Sequence, residues 1–158
     1  MKKKIMEKWV RALRSGKFKQ CRNSLCMVDR KTNQNSFCCL GVLTELYLRE
    51  RKRQKKGPGI KGFEVNTNDD FDPESTHYPK WMVKNSDGLL PLEVAKWAGF
   101  NVDARYMYER DYSTGCFKVD EKIVSLAELN DGTEDFEDPN PRSFKQIAKI
   151  IEKNYEHI

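Results

Sequence analysis

The chain has 158 residues, the size of one ordinary domain, and can bury a real core. Its 38% hydrophobic share supports that core, while its 34% charged share demands a heavily charged surface. No run approaches the roughly 20 apolar residues of a membrane span. The basic start at Met1 lacks the apolar stretch of a signal peptide, because Glu7, Lys8, Arg11 and Arg14 interrupt it. A cytoplasmic location and no membrane partner are therefore the expectation. The net charge of +5 is uneven: residues 2 to 22 and 49 to 56 are basic, whereas 69 to 74 and 131 to 138 are acidic. That layout suits an anionic ligand, complementary contacts between subunits, or simply solvated faces.

In chain order, apolar residues at three- and four-residue spacing (Ile5, Met6, Trp9, Val10, Ala12, Leu13) predict a first helix over residues 3 to 14. Gly16 follows, where a left-handed cap suits glycine. Residues 18 to 29 read as extended chain, 30 to 35 as a polar turn and 37 to 39 as a returning strand. From Leu40 the pattern is helical again, with Leu40, Leu43, Leu46 and Tyr47 on one face, until Gly57-Pro-Gly59 ends it near Arg53. Residues 57 to 80 form a long irregular excursion of a functional or mobile kind. A short strand is predicted at 81 to 83, and a helix framed by Pro91 and Gly99 follows. A hairpin is expected over 106 to 119, turning at Ser113-Thr-Gly115. A short helix is expected over 123 to 129, ending at Asn130-Asp-Gly132. The last helix runs from Phe144 to Tyr155, opened by a Ser143/Gln146 capping box. The fold class is α+β: a single compact domain, residues 1 to 158, with about four to five helices packed on a small antiparallel sheet.

The five cysteines are an odd number, and Cys38 and Cys39 are adjacent, which is poor geometry for a structural disulfide. Reduced, buried thiols are the economical reading. A metal site at Cys21, Cys26, Cys38 and Cys39 stays open, although no Cys-x-x-Cys pair exists and His77 and His157 are distant in sequence. Catalytic signatures are missing: there is no nucleophile elbow, phosphate-binding loop, dinucleotide fingerprint or His-Glu-x-x-His. Cys38 or Cys39 would need a base to act as a nucleophile, and none is local. The expectation is a protein that is not an enzyme and carries no cofactor or metal.

The turn from Arg14 to Gln20 holds the candidate site. Arg14, Lys17 and Lys19 are cations brought close together. Ser15 and Gly16 offer N–H donors and a hydroxyl, Phe18 a stacking face, and Gln20 a hydrogen-bonding amide. Phosphate plus nucleobase recognition asks for such a set. The plainer alternative is that the cations oppose a helix dipole, Gly16 caps the helix and Phe18 enters the core. The basic run from Arg49 to Lys56 lacks interleaved aromatics and reads as a solvated face, so no DNA contact is expected. Asn130 and Asp131 read as a helix C-terminus rather than as ligand contacts.

Five blocks carry a family resemblance: Lys8-Trp-Val-Arg-Ala-Leu-Arg-Ser-Gly-Lys-Phe-Lys-Gln20, Phe37-Cys-Cys-Leu-Gly-Val-Leu43, Leu90-Pro-Leu-Glu-Val-Ala-Lys-Trp-Ala-Gly99, Leu126-Ala-Glu-Leu-Asn-Asp131 and Ser143-Phe-Lys-Gln-Ile-Ala148. In that order they resemble a widespread family of small tailed-bacteriophage proteins. Within it, the chain resembles the phage sponge proteins that counter cyclic-oligonucleotide anti-phage signalling (anti-CBASS). That resemblance implies a multimer, such as a dimer or tetramer, that binds a cyclic dinucleotide in the host cytoplasm without cleaving it. Arg14, Lys17, Phe18, Lys19 and Gln20 are the candidate contacts on their own chemistry. Two other classes stay open: a protein–protein inhibitor of a host enzyme, working through the 131–138 or 57–80 segment, and a nucleotide-modifying enzyme.

Overall fold

The computed structural model describes residues 1–29, 31–32, 34–56, 59, 90–100, 115–119, 122–132 and 140–158. The 57–80 excursion (Gly59 apart), the strand expected at 81 to 83 and the first part of the expected 106–119 hairpin lie outside these residues. The elements are α1 (Lys3–Arg14), β1 (Lys19–Gln20), β2 (Cys26–Val28), β3 (Asn35–Phe37), α2 (Cys39–Arg53), α3 (Leu92–Ala98), β4 (Cys116–Val119), β5 (Lys122–Ser125), α4 (Leu126–Asp131) and α5 (Phe144–Asn154). The class is α+β.

Helix α1 buries Ile5, Met6, Trp9, Val10 and Leu13, the stripe its periodicity foretells. It ends through Ser15 and Gly16, the latter left-handed at φ 70°. Helix α5 buries Phe144, Ile147, Ala148 and Ile151 and opens with the full Ser143/Gln146 capping box. These helices lie side by side: Met1 N donates to Tyr155 O at one end, and Phe144 N donates to Gln20 Oε1 at the other. The N-terminus of α1 docks on α3, whose Gly99 cap (φ 76°) leaves carbonyls open to it. Lys2 N donates to Ala98 O and Lys2 Nζ to Trp97 O.

Strand β3 is central to a three-stranded sheet ordered β1-β3-β2. It pairs antiparallel with β2 (Cys26↔Phe37, Met27↔Ser36, Val28↔Asn35). Asp29 fastens the turn between them, its Oδ1 accepting from Lys31 N and Thr32 N. Strand β1 joins parallel, with Lys19↔Ser36 and Gln20↔Phe37. The sheet is therefore mixed where an antiparallel one was expected. Bends between Gln20 and Cys26 reverse the chain once and the β2–β3 turn reverses it again, so β1 meets the free edge of β3 in the same direction.

Two local expectations shift. Residues 122 to 125 form β5, antiparallel to β4, so helix starts only at Leu126 rather than at Ile123. Adjacent β-branched Ile123 and Val124 favour strand. Ser125 then provides a helix stop-start signal, its hydroxyl accepting from Glu128 N. Likewise Cys38 ends the extended segment and caps α2, its Sγ accepting from Gly41 N at 3.3 Å.

The segment Phe37 to Leu43 explains itself in packing terms. Phe37, Cys38, Cys39, Leu40, Val42 and Leu43 are all buried. Gly41 lies so close to β2's approach that an added Cβ would sit 1.7 Å from the Leu25 carbonyl oxygen. Trp9 Nε1 donates to Cys39 O at 2.9 Å in the core, binding α1 to the start of α2. Among the described residues no helix is long and apolar enough to cross a membrane.

Candidate functional site

The turn after α1 divides its residues between two faces. Arg14 lies at the end of α1 and makes a two-pronged pair with Glu152 of α5, Nη1 to Oε1 at 3.3 Å and Nη2 to Oε2 at 2.6 Å. The Arg14 hydrogen bond holds the Glu152 carboxyl below its ordinary value. Both side chains remain open to solvent, 42% and 50% exposed, so the pair is held by geometry more than by energy. Ser15 is spent locally: its Oγ donates to Ala12 O and accepts from Lys17 N.

From Lys17 onward the chain is extended and alternates. Phe18 turns towards the core, edge-on to Phe37 at 5.4 Å, with the Arg49 guanidinium 5.5 Å from its ring centre. Gln20 turns inward as well. Its Nε2 donates to Asn130 Oδ1 and Arg142 O, and its Oε1 accepts from Phe144 N. Lys17 and Lys19 point to solvent. Neither ammonium has a hydrogen bond or ion pair among the described residues, although Lys19 lies within electrostatic range of Asp29. The structure thus keeps Arg14, Ser15 and Lys17 on the outside and gives Phe18 and Gln20 structural partners.

Asn130 is the hub of the inward half. It is fully buried, and all four hydrogen-bonding positions of its amide are filled. Nδ2 donates to Cys21 O and Asp131 Oδ1, while Oδ1 accepts from Cys39 N and Gln20 Nε2. Asp131 in turn accepts from Asn23 N. This network ties the end of β1, the start of α2 and the end of α4 together; Asn130 and Asp131 are the last two residues of α4 and Gly132 is its cap, so the pair links elements where a capping role was expected.

A cleft of about 510 Å³ opens between α1 and α5, lined by Met6, Glu7, Val10, Arg11, Arg14, Ser15 and Glu152. Its volume falls in the range of small-ligand sites. Arg11 and Glu152 were not among the sequence candidates. Arg11 was legible as the residue one turn before Arg14 on the exposed side of an amphipathic helix. Glu152, distant in sequence by most of the chain, was not. A smaller cleft of about 190 Å³ lies between α1 and α2, lined by Lys8, Leu46, Arg49, Glu50 and Arg53.

The thiols of Cys21, Cys26, Cys38 and Cys39 are shifted away from nucleophilic activation. Burial pushes Cys26 and Cys38 up to about 12 and Cys39 well above its ordinary value; Cys21 is raised by the same cause. Reactive cysteines show the opposite shift. Cys39 is committed as a donor to Leu126 O. Among the described residues no group of three or more His, Cys, Asp or Glu side chains is arranged to hold a metal ion.

No curated protein and no solved structure matches the chain. A family model described as Domain of unknown function (DUF8296) matches residues 1–155, and the chain belongs to that family.

Proposed function

We propose that the chain binds a phosphate-bearing nucleotide in the cleft between α1 and α5 and holds it without turning it over. The observation that carries this reading is the makeup of the cleft: Met6 and Val10 give an apolar floor, and Arg11, Arg14 and Ser15 form a polar rim together with the carboxylates of Glu7 and Glu152, from the second of which a phosphate would take over Arg14. A ribose or base can lie on such a floor while guanidinium groups take phosphate oxygens. Lys17, two residues beyond Ser15, is an exposed cation outside the cleft's lining. Phe18 and Gln20 serve this site indirectly, by anchoring the turn to the core.

The ligand class comes from the resemblance of the five sequence blocks to the phage anti-CBASS sponges, and is a cyclic dinucleotide. On this reading the chain is an immune-evasion protein that sequesters the signal in the cytoplasm and blocks host defence. Sequestration asks for affinity and abundance rather than turnover. Sponges of this kind work as homo-oligomers, so an assembly of two or four copies is part of the proposal.

The test is a thermal-shift screen of the purified protein with cyclic dinucleotides, followed by heat release and mass analysis of the ligand. Stabilisation by at least one of them, release unchanged, and loss of the shift in Arg11→Ala and Arg14→Ala would support the reading. A ligand recovered cleaved would make the chain an enzyme. No shift with any cyclic dinucleotide, together with stoichiometric capture of one host protein insensitive to Arg14→Ala, would replace it with the inhibitor reading.

A further inference from the structure

The Arg14–Glu152 pair crosses the cleft from wall to wall. Of the described lining residues, Met6, Glu7, Val10, Arg11 and Arg14 belong to α1 and Ser15 caps that helix, while Glu152 meets them from α5. The carboxylate takes both terminal nitrogens of the guanidinium, through bonds of 3.3 and 2.6 Å. A phosphate binds a guanidinium through the same fork, two oxygens against two N–H groups. Glu152 Oε1 and Oε2 therefore hold the positions that two phosphate oxygens would take on the end of Arg14. A phosphate arriving there must displace the carboxylate or lie against its negative charge, and either way Glu152 opposes it.

We infer that Glu152 is an internal competitor for the cleft: it occupies Arg14 in place of a phosphate, gives way when one binds, and so sets the affinity of the site. This autoinhibitory role rests on the reading of the cleft as a phosphate site, given above, and adds its regulation. The exchange is within reach because the pair is open to solvent on both sides, and exposed ion pairs contribute little. The released carboxylate also has somewhere to go. Lys149, three residues earlier on α5, is exposed and has no hydrogen bond or ion pair among the described residues. That spacing lets the two side chains meet on one helix face. Glu7, the other carboxylate of the lining, makes no ion pair among the described residues, so no cation has to be taken from it.

The test titrates inorganic phosphate into the full chain at constant ionic strength, with binding followed by calorimetry or phosphorus NMR. Glu152→Gln keeps the size of the side chain and removes its charge, and should bind phosphate about three- to tenfold more tightly than the wild type. Glu156→Gln makes the same change of charge one turn further along and outside the cleft's lining. It should stay within about twofold of the wild type, its effect being screened. Arg14→Gln should bind most weakly, and adding Glu152→Gln to it should recover less than the single change gains, since no pair is left to break. Loss of a merely structural contact would not raise affinity, so tighter binding in Glu152→Gln alone supports the competitor. Unchanged affinity in that variant, with binding still lost in Arg14→Gln, would overturn the competitor and leave the cleft standing. Weaker binding would do the same and make Glu152 a positioning residue for Arg14. An equal gain in Glu156→Gln would reduce the effect to net charge and overturn it too. Absence of phosphate binding in every variant, or binding indifferent to Arg14→Gln, would overturn the cleft itself and the competitor with it.

Discussion

Gly41 shows how much one missing side chain can decide. A helix interior favours alanine over glycine by about 1 kcal/mol, so propensity alone would welcome the change. The Cβ, however, would sit 1.7 Å from a backbone oxygen, that of Leu25, which cannot swing aside as a side chain could. Overpacking of this kind costs about 1–3 kcal/mol and more when backbone must move, so the steric term wins. Gly41→Ala should lose at least about 2 kcal/mol net, a melting-temperature drop of roughly 4–8 °C for a chain of this size, measured by calorimetry or chemical denaturation. An unchanged melting temperature would show that α2 is free to slide from Leu25. Gln20 and Asn130 carry a related lesson. As letters they are ordinary polar residues, and Gln20 reads as a ligand contact as readily as a structural one. What decides its role is a buried Asn130 Oδ1 at 3.0 Å, contributed from far along the chain. No local pattern encodes that meeting.

At the scale of elements, periodicity and caps were the legible signals. The α1 and α5 stripes, the Gly16 and Gly99 left-handed caps and the Ser143 box follow from spacing and side-chain chemistry within a few residues. The boundary between β5 and α4 was misread because Ile123, Val124 and Leu126 satisfy helical and strand periods about equally over so short a run. How elements join is a longer-range matter, and the Lys8–Glu50 pair between α1 and α2 gives it a pH signature. A hydrogen bond from Lys8, helped by the charges of Lys8 and Arg53, holds the Glu50 carboxyl below its ordinary 4.5. A carboxylate whose folded value is depressed adds stability above pH 4.5 and loses it as pH falls through the folded value. The pair is partly solvated, so the effect stays below about 1 kcal/mol. Acid titration of stability should therefore be shallower in Glu50→Gln than in the wild type between about pH 5 and pH 3. Parallel curves would mean that the pair is absent in solution.

For the whole molecule, burial sets the chemistry of the cysteines. Cys26, Cys38 and Cys39 are buried and Cys21 and Cys116 half-buried, none of them in a disulfide. With Cys26 and Cys38 raised to about 12, almost no thiolate exists near neutral pH. In the folded chain, alkylation followed by mass spectrometry should mark Cys21 and Cys116 first, leaving Cys26, Cys38 and Cys39 unlabelled until denaturant is added. Prompt labelling of Cys38 or Cys39 would point to an opened core or an activated thiol. The sequence by itself determined the α+β class, most helix positions and the basic character of the turn after α1, because charge, period and capping act over a few residues. Only the tertiary structure decided that β1 runs parallel to β3, that Gln20 belongs to the Asn130 network and that Arg14 faces Glu152 across a cleft. Those outcomes depend on pairs of groups distant in sequence, whose meeting is settled by how the helices and the sheet pack together.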